Sequence, residues 1–150
     1  VADAAEELLA EGPRVIAVDP FYLGESAIGG QDFLFALMVA TVGDRALGLQ
    51  ARQLQAVAKW AQKQHGQPVH LVAHGPRTSL AALVASGLEP GSIGKLRLHG
   101  CYKSLKQVIE SKLGVNRAPE LFCFGLLEQF DIPQLEALVA PRALTRNQAP

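Results

Sequence analysis

The sequence predicts an α/β fold, a parallel sheet with helices on both faces. Three observations carry this. Short β-branched apolar runs alternate with helix-period segments three times. Each apolar run is bounded by Gly, Pro or Asp. The intervening segments are long enough for helical crossovers, which parallel strands require.

The elements follow in order. Ala2–Ala10 is a helix pattern with Asp3, Glu6 and Glu7 near its start, and Gly12-Pro13 ends it. Arg14–Val18 (RVIAV) reads as a buried strand closed by Asp19-Pro20. Phe21–Gln31 carries three glycines and is a loop. Asp32–Ala40 is an apolar helical segment. Asp44 is the expected N-cap of a long helix running to about His65, with Leu47, Ala51, Leu54, Ala58 and Ala61 at helical spacing. Gly66 is its C-cap signal.

Val69–Ala73 (VHLVA) is the second strand and Arg77–Ser86 an Ala/Leu helix. Lys95–His99 (KLRLH) is the third strand, entered through the turn Glu89–Gly94. Leu105–Lys112 and Glu120–Phe130 read as helical. Ile132–Val139 is a helix with Asp131 as N-cap signal and Pro133 in its first turn. Pro141–Thr145 begins a fourth strand. No internal repeat, low-complexity tract or domain linker divides the chain, so residues 1–150 read as one domain.

Composition narrows the function. The chain is 49% hydrophobic and 19% charged, a globular balance. Fourteen basic and fourteen acidic residues give zero net charge, so no nucleic-acid or anionic-membrane footprint is expected. Low charge repulsion permits self-association. No apolar run reaches the ~20 residues of a membrane helix. Cys101 and Cys123 lie in no C-x-x-C pair and at no metal-ligand spacing from a His, so they read as small buried hydrophobes, with no metal and no cofactor expected. VIAVD is followed by PFYLGES, which is no Gly-rich phosphate loop.

The chemistry concentrates at Gln67–Ser86. Strand VHLVA, a turn and helix RTSLAALVAS have the layout of a nucleophile elbow, G-x-S-x-G. In that register Ala73 holds the first Gly, Gly75 the Ser, and Arg77 the last Gly. Gly75 has no nucleophile, so no acyl-enzyme can form there. Pro76 has no N–H, so the oxyanion donor that follows the nucleophile is missing too. The plainer reading is an ordinary strand–loop–helix turn of a doubly wound sheet. His74 and Arg77 are the ligand-binding candidates, Arg77 either with the helix N-terminus or as a structural arginine that bonds carbonyls or another loop's carboxylate. Thr78 and Ser79 fall inside the helix and point along it. Cys101 lies at a strand's carboxyl end without a base partner, His99 being expected on the opposite side. Asp19 is read as fixing the loop that follows it.

Three further segments carry a resemblance. VIAVDPFYLGES (Val15–Ser26) is similar to the α/β-hydrolase strand that ends in Asp-Pro and opens a Gly-containing loop. ATVGDRALGLQARQLQAVAKW (Ala40–Trp60) resembles the helical stretch before the nucleophile strand in acetyl xylan esterase and dienelactone-hydrolase-like proteins. VAPRAL (Val139–Leu144) resembles the approach to the strand before the catalytic acid. The resemblance implies an α/β-hydrolase-like sheet, incomplete at both ends, with acid, histidine and first strands expected outside this fragment. It implies ester hydrolysis by a Ser–His–Asp triad as the family's activity. For this chain the expectation is an inactive esterase-like domain with a degenerate elbow at His74, Gly75, Pro76 and Arg77. The alternatives are an active carboxylic-ester (acetyl) hydrolase that uses residues outside the fragment, and a pseudoenzyme domain that binds a ligand or partner. A carbohydrate or small ester ligand, the remainder of a longer chain or a homo-oligomeric partner, and a secreted or periplasmic setting are what the family implies.

Overall fold

A computed structural model describes residues 2–10, 12 and 14–148. Its elements are α1 (Ala2–Ala10), α2 (Asp32–Thr41), α3 (Ala46–His65), β1 (Val69–His74), α4 (Pro76–Leu88), β2 (Ile93–Cys101), α5 (Lys106–Glu110), α6 (Leu126–Gln129), α7 (Ile132–Val139) and β3 (Ala143–Gln148), with 3-10 turns at Gly24–Ser26 and Pro119–Phe122. The three strands form one parallel sheet in the order β1-β2-β3. The α/β class therefore stands.

The helices that contact the sheet, α3, α4 and α7, also pack on one another, α3 against α4 and α4 against α7. They form one layer, where helices on both faces were expected. Connection handedness explains this for the crossover helices α4 and α7, and α3 joins the layer by packing on α4. Strands added in sequence order, each by a right-handed crossover, put every crossover helix on the same side. Leu71 and Ala73 of β1, Leu96 and Leu98 of β2, and Leu144 of β3 are in register and face that layer. The alternate positions His70, His74, Lys95, Arg97, His99 and Thr145 lie on the other face.

Helix α4 lies between α3 and α7, so it buries residues around most of its circumference: Ser79, Leu80, Ala81, Ala82, Leu83, Ala85 and Ser86. Its alanines let the flanking helices approach, while Leu80 and Leu83 each remove a full side chain from water, worth about 2 kcal/mol apiece. Helix α3 ends as read, with Gly66 at φ 73° and its N–H bonded to the Gln62 carbonyl. Helix α7 carries the capping box of Asp131 and Gln134, with Pro133 in its first turn.

Four local readings need correction. Arg14–Val18 joins no sheet and is not buried, with Ile16 and Val18 exposed, because strand character needs a neighbouring ladder and none among the described residues reaches it. Its first residue and the loop after it are tied to α3. Arg14 Nη1 lies 3.3 Å from His65 Nδ1, and further along Gln50 Nε2 donates to the Phe21 carbonyl at 2.7 Å while the Phe21 N–H donates to Gln53 Oε1 at 2.9 Å. The N-cap of α3 is Arg45; the Asp44 carboxylate, one residue earlier, accepts the Arg45 N–H and binds Arg52 Nη2 at 2.5 Å. Leu105–Lys112 is helical only over Lys106–Glu110. Glu120–Phe130 is no single helix: Gly125 at φ 79° separates the turn Pro119–Phe122 from α6. The expected break at Gly12-Pro13 is seen in part, with the Gly12 N–H bonded to the Leu9 carbonyl; Pro13 lies outside the described residues.

Candidate functional site

The carboxyl edge of the sheet gathers residues from all three strands. β1 ends at His74, and in-register pairing sets it beside His99 of β2. The two imidazoles stack, with centroids 4.4 Å apart and planes 2° from parallel. Asn147 of β3 closes the row. Its Oδ1 accepts the Gly100 N–H at 3.0 Å and its Nδ2 lies 3.3 Å from His99 Nδ1.

Gly75 turns the chain from β1 into α4 at φ 92°, ψ 163°, a conformation open to glycine and strained for any other residue. Its N–H donates to the His99 carbonyl at 2.6 Å, and its carbonyl accepts the Ser79 N–H at 3.0 Å. Among the described residues, chain neighbours aside, a Cβ added there would meet no atom within 4 Å. Space for a side chain therefore exists at the elbow, but the backbone is not one that a serine adopts without strain. Pro76 occupies the first helical turn, where its missing N–H leaves no intrahelical bond unmade.

Arg77 is engaged away from any ligand. Its Nε and Nη2 form a bidentate pair with the Glu120 carboxylate, Nη2 to Oε2 at 3.1 Å. The Glu120 side chain is fully buried, so the pair ties the start of α4 to the turn Pro119–Phe122. Thr78 turns its hydroxyl back to the His74 carbonyl at 2.6 Å and the Gly75 carbonyl at 3.2 Å. Ser79 is buried, and its hydroxyl has no hydrogen-bond partner among the described residues. Neither hydroxyl is presented above the sheet as a nucleophile.

Cys101 is 1% exposed, and burial pushes its thiol up to about 11 against the opposing pull of Arg146. Strict alternation would place His99 and Cys101 on one face. Gly100, at φ 73°, breaks the register between Leu98 and Cys101. Cys101 then interacts with Arg146 and His99 with its neighbour Asn147, on opposite faces of β3. A Cβ on Gly100 would lie 3.5 Å from the Gly75 Cα, so the two glycines also bring the strand ends together.

Asp19 organises its loop. Its Oδ2 accepts the Glu25 N–H at 3.0 Å and its carbonyl accepts the Ser26 hydroxyl at 3.0 Å. The same loop holds Tyr22 at φ 72°, 1% exposed and with its hydroxyl unpaired among the described residues. Burial, then the charges of Asp32 and Glu120, push that phenol up to about 12. A cavity of about 230 Å³ lies between α2, the start of α3 and residues 115–124, with Phe33, Leu37, Arg45, Phe122, Phe124 and Arg77's partner Glu120 among its lining.

Sequence reasoning selected His74 and Arg77 but missed His99 as the stacking partner, Asn147 as its hydrogen-bond partner and Glu120 as the anion for Arg77. One signal for the first was present: VHLVAH and KLRLH each end in histidine. For Glu120 and Asn147 no local pattern exists, since their partners lie 43 and 47 or more residues away.

Among the described residues no group of three or more His, Cys, Asp and Glu side chains could hold a metal ion, and no helix is long and apolar enough to cross a membrane. No family model matches the chain, and no curated protein or solved structure matches it significantly.

Proposed function

We propose that this chain is a non-catalytic, esterase-like α/β-hydrolase domain whose sheet edge at His74, Gly75, His99 and Asn147 is a ligand-binding surface for a small ester or acyl-bearing carbohydrate. One observation carries the reading. The strand–turn–helix turn has Gly75, with no side chain, where the elbow register puts the nucleophile, and the next residue, Pro76, has no N–H to donate. An acyl transfer needs an attacking atom and a stabilised oxyanion, and this turn supplies neither. What remains is a row of imidazole and amide groups suited to hydrogen bonding a carbonyl.

The test is turnover of p-nitrophenyl acetate with a fluorophosphonate probe alongside. The expected result is no covalent labelling and no rate above free imidazole at matched concentration. Labelling with multiple turnover overturns the reading. The double variant Gly75→Ser, Pro76→Gly restores a hydroxyl and a donor at the elbow. Made in a longer chain that carries the family's acid and histidine, a gain in esterase activity in that variant supports the register Ala73–Arg77, and an intact fold with no gain counts against it.

A further inference from the structure

We propose that Asn147 is a positioning residue that holds neutral His99 as its Nε2–H tautomer, which makes His99 a hydrogen-bond donor toward an acceptor oxygen of a ligand, a carboxylate or ester carbonyl. The ligand half of this rests on the reading above; the tautomer half does not.

Three groups in sequence fix the tautomer. A side-chain amide presents one accepting and one donating end, and which end is which follows from its partners. The Gly100 backbone N–H can only donate, so the Asn147 atom 3.0 Å from it is the oxygen. The amide nitrogen is then the end that faces His99 Nδ1 at 3.3 Å. An amide nitrogen has no lone pair to offer and only donates. His99 Nδ1 must therefore be the accepting ring nitrogen, and in a neutral imidazole the proton resides on Nε2. A tautomer is set by the hydrogen bond that the other nitrogen makes, which here originates in the backbone of β2 and passes through a side chain of β3.

Geometry limits where that Nε2–H can act. His74 stacks on one ring face at 4.4 Å, and the His99 carbonyl is already taken by the Gly75 N–H. Among the described residues no hydrogen bond engages His99 Nε2, so its N–H is the ring group assigned to the ligand. A donor there selects an acceptor oxygen and disfavours an ammonium or another N–H group.

The experiment is long-range 1H–15N correlation of the histidine rings at about pH 8, above the ordinary imidazole range, with His74→Gln and His99→Gln for assignment. Wild-type His99 is expected to show a pyrrole-type Nε2 and an unprotonated Nδ1. In Asn147→Asp the carboxylate accepts from both Gly100 N–H and Nδ1, so the two nitrogens should exchange character. Sodium acetate is then titrated into both proteins. It should shift the wild-type His99 resonances, and bind about fivefold more weakly to Asn147→Asp, the order of one hydrogen bond.

A wild-type proton on Nδ1, or an Asn147→Asp variant in which His99 is unchanged, overturns the positioning role. The predicted tautomer without any response to acetate overturns the ligand-surface reading and leaves the positioning role standing. Circular dichroism of Asn147→Asp and of the milder Asn147→Ser separates unfolding from tautomer change, since Ser should give a mixture of both tautomers in a folded protein.

Discussion

Arg142 should be among the most costly residues to remove. It follows Pro141 in the VAPRAL segment, at the approach to β3. Its guanidinium donates to the carbonyls of Ser86 at 2.5 Å, Glu89 at 3.1 Å, Ile93 at 3.0 Å and Val139 at 3.1 Å. Those carbonyls belong to the end of α4, the turn after it, the start of β2 and the end of α7. One side chain thus satisfies several orphan carbonyls where three elements meet. A hydrogen bond to a charged group contributes about 1.5 to 3 kcal/mol. Four would sum too high, because contributions are not additive and water reaches part of the site once the side chain is gone. The expected loss for Arg142→Ala is about 3 kcal/mol, a sizeable share of the ~5 to 15 kcal/mol that holds a domain folded. Arg142→Lys keeps the charge but not the planar fork, and should lose about half as much. Urea unfolding followed by Trp60 fluorescence, with an unchanged slope, reads both. A loss below about 0.5 kcal/mol for the Ala variant would refute the role assigned to Arg142, and so would Lys at least as damaging as Ala.

The remaining predictions concern charge and burial. Glu120→Ala leaves the Arg77 guanidinium without its buried partner and should cost about 3 to 5 kcal/mol, whereas Arg77→Met with Glu120→Leu should cost much less; equal losses in denaturant melts would show that the ion pair is not the cause. Asp131 caps α7 and also accepts the Ser104 hydroxyl at 2.5 Å and the Leu105 N–H at 2.6 Å. Burial works against its charge, but these donors hold the carboxyl below the ordinary aspartate range. Its contribution is therefore present above that range and is lost as pH falls through the lowered folded value; an acid titration in which Asp131→Asn keeps the wild-type profile would contradict this. The Cys101 thiol is raised to about 11, so its stabilising effect is intact below the ordinary thiol range and fades as pH climbs toward that value. At neutral pH Cys101 should resist a thiol reagent until the protein unfolds, with half-buried Cys123 labelled first; mass spectrometry of the labelled peptides in the reverse order would be wrong for this fold.

Much of this protein was settled by local pattern. Val69–Ala73, Lys95–His99 and the Asp131-capped helix were legible because each rests on short-range physics: β-branched runs, a carboxylate facing free N–H groups, a glycine that can take a positive φ. The strand–turn–helix at Gly75 was legible for the same reason, since a strand, a glycine and a proline-led helix are adjacent in the chain. The tertiary structure decided the rest. Arg14–Val18 has strand composition but no ladder, because pairing is a property of two segments and not of one. The crossover helices α4 and α7 fell into one layer because crossover handedness acts on the order of strands, which no window of sequence contains. Arg77 met Glu120, and His99 met His74 and Asn147, only when separated segments were brought to one edge. Side-chain chemistry is written residue by residue, but a site is a set of distances, and the sheet sets those distances.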